Sequence, residues 1–91
     1  MFNTETNVEY IEEIGVLATG LMLLGIPFTF RKIWDGYQIL VQTDNSRWDA
    51  VCHSGSYGHE KSLLEIYGSI VTSDEDSVEG WLTAEEVLAR L

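Results

Sequence analysis

Apolar positions divide the chain into a helical first third and a strand-rich middle. Between Tyr10 and Leu24 they return every three or four residues, so that Tyr10, Ile14, Leu17, Leu21 and Leu24 form one stripe, with Ile11, Ala18 and Met22 beside it. Thr6 followed by Glu9 has the spacing of a capping box, which predicts a helix beginning near Thr6. Gly25 can close that helix in the left-handed conformation and Pro27 cannot extend it, so it should stop near Leu24. Two strand-like runs follow, Phe28–Trp34 and Tyr37–Gln42, separated by Asp35-Gly36. That dipeptide tolerates the positive φ of a two-residue hairpin turn. The polar Thr43-Asp44-Asn45-Ser46 supplies a second turn before a third strand, Trp48–His53.

Past Gly55 and Gly58 the spacing of Leu63, Leu64, Ile66 and Tyr67 predicts a short helix ending at Gly68, and Ser73–Ser77 reads as an acidic loop. Thr83 with Glu86 forms another capping box and opens a terminal helix whose Val87, Leu88 and Leu91 can face inward. The expected fold is therefore a single α+β domain over residues 1–91. It consists of an N-terminal helix, a three-stranded antiparallel meander and two short C-terminal helices packed on one face of the sheet.

The 17 residues from Ile14 to Phe30 carry no charge, which is near the lower limit for a membrane-spanning helix. Glycines at 15, 20 and 25 and Pro27 interrupt the segment, and its Phe28-Thr29-Phe30 end alternates like a strand. The residues ahead of it are acidic (Glu5, Glu9, Glu12, Glu13), where a secretory signal needs basic ones. A buried core helix is the expectation, with no membrane partner.

Charge narrows the function classes. Fifteen Asp and Glu stand against five Lys and Arg, giving −10. A surface that grips a phosphate backbone needs a basic surplus, so direct nucleic-acid binding is not expected. The single cysteine, Cys52, excludes an internal disulfide and fits a reducing compartment. The acidic charge is concentrated at the two ends: residues 1–13 carry −4, residues 28–64 balance, and residues 65–91 carry −6.

The chemically richest stretch is Cys52-His53-Ser54-Gly55-Ser56-Tyr57-Gly58-His59-Glu60. Cys52 and His53 are neighbours on a predicted strand and point to opposite faces, which disfavours a nucleophile–base pair. Ser56 lacks the Gly-x-Ser-x-Gly elbow, and one cysteine with two histidines at this spacing matches no closed zinc pattern. Neither a catalytic residue nor a metal or other cofactor is expected. Two readings of the segment stay open: a structural strand-to-helix turn made by Gly55 and Gly58, and a small-ligand loop using His53, Ser56, Tyr57 and His59 with freed backbone N–H groups. Trp34, Tyr37 and Trp48 flank the strand turns, and at least two of them are expected to complete the core.

Several segments together carry a resemblance. Gly25-Ile26-Pro27-Phe28-Thr29-Phe30-Arg31-Lys32-Ile33-Trp34-Asp35-Gly36-Tyr37-Gln38, Asp49-Ala50-Val51-Cys52-His53 through Gly55-Ser56-Tyr57-Gly58, Leu63-Leu64-Glu65-Ile66 and Gly80-Trp81-Leu82-Thr83-Ala84-Glu85 resemble short uncharacterised proteins of phages and mobile elements of Gram-positive gut bacteria. The resemblance covers roughly residues 24–91 and implies a phage or prophage accessory protein acting in the bacterial cytoplasm; many proteins of that size and charge, anti-CRISPR proteins among them, bind host machinery.

A partner reading follows from the charge map. Glu5, Glu9 and Glu12 fall on one helix face at about 5–6 Å per step, comparable to successive phosphates, so carboxylates could occupy a basic nucleic-acid groove. Asp74, Glu75 and Asp76 form a second acidic cluster. The expected partner is a host protein with a basic surface, and the alternative is a small-ligand binder using the 53–60 loop. Val16 and Leu23 lie close to Glu9 and Glu12 on the helical wheel, away from the core stripe, and suggest self-association as a homodimer.

Overall fold

The computed structural model describes residues 10–72 and 77–91. Its elements in chain order are α1 (Ile11–Leu23), β1 (Thr29–Ile33), β2 (Gly36–Gln42), β3 (Arg47–Cys52), a 3-10 turn (His59–Lys61), β4 (Leu64–Gly68), β5 (Val78–Leu82) and α2 (Ala84–Leu88). The five strands form one antiparallel meander in the order β1-β2-β3-β4-β5. The α+β class agrees with the sequence reading, whereas the strand count does not.

The core is the apolar layer between the helices and one face of the sheet. Ile14, Leu17 and Leu21 of α1 are fully buried, with Ile39 and Val41 of β2, Trp48, Ala50 and Cys52 of β3, Leu64 and Ile66 of β4, and Ala84 and Val87 of α2. Because strand side chains alternate, the neighbours Gln38, Leu40, Asp49, Glu65 and Tyr67 face the other side, which no helix among the described residues covers. The expected stripe on α1 holds through its middle but fails at its end, where Leu24 is the cap residue and is exposed. The helix closes as anticipated at Gly25, whose φ is +72°; Ile26 N–H donates to the Leu21 carbonyl and Gly25 N–H to that of Met22, the paired bonds of a Schellman end. The proposed capping box of Thr6 and Glu9 lies outside the described residues.

Two C-terminal helices were expected, and among the described residues one is present. Leu63–Gly68 is not helical: β4 alternates buried Leu64 and Ile66 with the more exposed Glu65 and Tyr67, and pairs Ala50 with Ile66 and Asp49 with Tyr67. A run of five apolar-rich residues fits either period, and pairing with β3 decides it. β5, with Gly80 in its middle, follows through an irregular register against β4. The terminal helix is as read, since Thr83 Oγ1 accepts from Glu86 N and Glu86 Oε1 accepts from Thr83 N. Glu13 of α1 adds a carboxylate at the same helix start by accepting from Ala84 N at 2.7 Å, tying the two helices together.

The first hairpin is offset by one residue from the expected Asp35-Gly36 turn. Ile33 pairs with Gly36, so Trp34 and Asp35 form the connection, and Trp34 takes the positive φ of +54°. Gly36 is already in β2 and is required for a different reason: a Cβ there would collide with the Cys52 carbonyl and the His53 backbone. Of the three aromatics weighed for the core, Trp48 is buried and Tyr37 packs against the core, whereas Trp34 is 75% exposed.

Two outcomes follow from this packing. Gly36→Ala should lower stability in urea unfolding by about 2 kcal/mol or more, since backbone must move to admit the methyl; a neutral result would contradict the close approach of β2 and β3. Glu79 receives both terminal nitrogens of Arg90, at 2.7 and 3.0 Å, and the Thr72 N–H. These bonds hold its carboxyl down at about 2. The depressed value stabilises the fold above the ordinary carboxylate range and is lost as pH falls toward 2. Glu79→Gln should therefore lower Tm at pH 7, and the gap to wild type should close between about pH 4.5 and 2.

Candidate functional site

Three surfaces carry the polar or apolar groups that could act. The first is the segment after β3, which turns back onto β5 through tight backbone contacts. Ser56 Oγ accepts from His53 N at 3.0 Å and donates to the His53 carbonyl at 2.9 Å, while Gly55 N donates to His53 Nδ1 at 3.0 Å. His53 Nδ1 is thus an acceptor, and its ring sits edge-on to Trp34 with centroids 4.7 Å apart. At His59 the roles reverse: Nδ1 lies 2.7 Å from the Ser56 carbonyl and donates to it. Tyr57 N donates to Glu65 Oε1, His59 N to the Ser56 carbonyl, and Ser54 N to Asp35 Oδ1. The bonds from the Ser54 backbone and hydroxyl hold the Asp35 carboxyl below its usual range.

The structure therefore brings His53, Ser56, Tyr57 and His59 into one loop, bonds His53, Ser56 and His59 to one another, and ties the Tyr57 backbone to Glu65 and Trp81 while its ring stays exposed. The N–H groups of residues 54–57 and 59, which an anion would need, are already donating within the protein. Gly58, at φ +98°, lets the loop touch the backbone of Trp81. This is the geometry of a structural turn. Cys52 is fully buried beside it, and burial pushes its thiol up to about 11, so it remains protonated at neutral pH. Among the described residues no group of three or more His, Cys, Asp or Glu is placed to hold a metal ion. Nor, among those residues, is any helix long and apolar enough to cross a membrane.

The second surface is the outer side of α1. Glu12, Val16, Thr19 and Leu23 follow one another at helical spacing, and Gly15 and Gly20 beside them leave a shallow groove of about 440 Å³ that Leu88 closes from α2. Val16 is 56% and Leu23 83% exposed, with Met22 and Leu24 also open to solvent. Glu12 is exposed at the start of this strip, whereas Glu13, one residue on, is committed to α2. Of the acidic residues expected to meet a partner, Glu5, Glu9, Asp74, Glu75 and Asp76 lie outside the described residues.

The third surface is the open face of the sheet. Arg31, Gln38, Leu40, Arg47, Asp49 and Tyr67 line a groove of about 290 Å³ there. Sequence reasoning missed it because the six residues come from four strands, one of them read as a helix. The period-2 pattern of β1 to β3 carries part of the signal, but only the register assembles it. Comparison of the chain with family models, with curated proteins and with solved structures finds no match.

The state of Cys52 is directly testable. In the folded protein it should resist a thiol-reactive dye at pH 7.5 on a scale set by global unfolding, and react at once in denaturant. Rapid labelling of the native protein would contradict the burial described here.

Proposed function

We propose that this chain is a non-enzymatic phage accessory protein, cytoplasmic in its bacterial host. In this reading it binds a host nucleic-acid-handling protein and inhibits it in an anti-CRISPR-like manner, with carboxylates taking the place of phosphates. The observation that carries the reading is the outer strip of α1, where exposed Glu12 leads into exposed Val16 and Leu23 along a groove. Apolar side chains kept in water on a rigid helix are the usual core of an interface, and acidic groups at its end select a partner whose rim is basic. The net charge of −10 supports the same partner through long-range attraction.

Other features favour binding over chemistry. Nδ1 of each histidine and the Ser56 hydroxyl of the 53–60 loop are bonded within the loop itself, and the one thiol is held protonated. The resemblance to phage and mobile-element proteins supplies the host setting. Glu5, Glu9, Asp74, Glu75 and Asp76 are the further carboxylates assigned to the partner in this reading.

The test is competition on a host effector nuclease loaded with labelled nucleic acid. The protein should displace the nucleic acid, less effectively as salt rises from about 50 to 500 mM. Charge reversal at Glu5, Glu9 and Glu12 should abolish displacement while circular dichroism and Tm are kept, and Val16→Glu with Leu23→Glu should weaken it at least tenfold. Displacement that survives both sets of changes would overturn the reading. Light scattering on the same variants reads self-association: a dimer dispersed by the Val16 and Leu23 changes would assign the strip to a second copy.

A further inference from the structure

The open face of the sheet holds an arrangement that the α1 reading does not use. Three arginines are present in the chain, and they are treated differently. Arg90 is neutralised by Glu79. Arg31 and Arg47 both line the groove opposite the helices, and the Arg47 side chain makes no hydrogen bond or ion pair among the described residues.

Arg31 is held by a relay rather than by a counter-charge. Its Nε donates to Gln38 Oε1 at 2.6 Å, and Gln38 Nε2 donates to Asp49 Oδ2 at 2.7 Å. The amide stands between guanidinium and carboxylate, so it fixes the plane of the guanidinium without contributing an anion. The two terminal nitrogens of Arg31 make no bond among the described residues, and they form the fork that matches a carboxylate. Strand register explains the relay: Arg31 is opposite Gln38, Leu40 opposite Asp49, and Asp49 opposite Tyr67. Half-buried Leu40 and the exposed ring of Tyr67 add an apolar floor and wall.

We propose that this groove binds a small organic anion carrying one or two carboxylates on a flat apolar body. Two guanidiniums against the single carboxylate of Asp49 select an anion. The −10 charge of the whole protein selects against nucleic acids and other polyanions, which would be repelled on approach. The size of the groove, at the lower end of ligand pockets, selects a low-molecular-weight ligand. The relay supplies part of the pre-organisation, since the bond at Nε restricts the exposed Arg31 side chain before a ligand arrives.

The experiment is an NMR titration of the full chain with benzene-1,4-dicarboxylate as probe. Saturable shifts are expected at the amides of Arg31, Leu40, Asp49 and Tyr67. The dimethyl ester should give none, and inorganic phosphate and a capped Glu-Leu-Glu peptide should bind more weakly. Arg31→Gln and Arg47→Gln should each raise Kd about tenfold, Gln38→Leu should raise it severalfold by releasing Arg31, and Lys61→Gln should leave it unchanged. If a glutamine variant melts below the assay temperature, Arg31→Lys replaces it; this keeps the charge, removes the fork and should still weaken binding. The proposal is overturned by the absence of saturable shifts, by affinity that survives both arginine changes, by equal binding of the ester, or by phosphate or peptide binding tighter than the dicarboxylate.

Discussion

The burial of one helix stripe against the inner strands is the interaction on which the rest depends. Ile14, Leu17 and Leu21 meet Ile39, Val41, Trp48 and Ala50 in the apolar layer, and every one of these residues is essentially removed from water. At about 1.5–3 kcal/mol for each fully buried large apolar side chain, this contact rivals the whole net stability of an ordinary domain. Among the described residues the buried apolar side chains form this single cluster. α2 is an accessory to that contact. Its five residues are too few for a stable helix alone, and it is held by its own capping box, by the Glu13 carboxylate of α1 and by the fit of Leu88 against Gly20.

The same constraint creates the molecule's surfaces. With both helices on one side, the alternation of β1 to β4 sends Arg31, Gln38, Asp49 and Tyr67 to the side left open. α1 in turn has a core-facing stripe and an outer strip, and the outer strip keeps Val16 and Leu23 in solvent. Both candidate surfaces are therefore carried on rigid elements rather than on loops, and the richest loop in the chain closes on itself. Strain is found at that turn region: Trp34, Ser62 and Trp81 all have positive φ. Trp34 and Trp81 are nonetheless well exposed, and Trp34 packs on His53.

Features set by residues close in sequence were legible. The Gly25-Pro27 stop, the Thr83–Glu86 cap, the middle of the α1 stripe and the pairing of β2 with β3 all follow from local chemistry or simple period. What failed depended on partners distant in sequence. Leu64–Gly68 is a strand because β3 and β5 lie on either side of it, and the Gly80-containing β5 has too weak a pattern to be seen alone. The hairpin shifted by one residue because Gly36 is needed at the approach to Cys52, which leaves Trp34 to take the left-handed turn. Of the site residues, the exposed Val16 and Leu23 could be read from the helical wheel, whereas the arginine groove could not be read without the four-strand register.

The most direct test of the central contact is native-state hydrogen exchange on wild type and Leu17→Ala. Removing this buried side chain should cost about 2–5 kcal/mol. Because α1 and the inner strands share one core, the slow amides of α1, β2, β3 and β4 should lose protection together and by the same amount. Loss of protection confined to α1, with Ala50 and Ile66 as slow as before, would show that the sheet stands without the helix and would contradict the account.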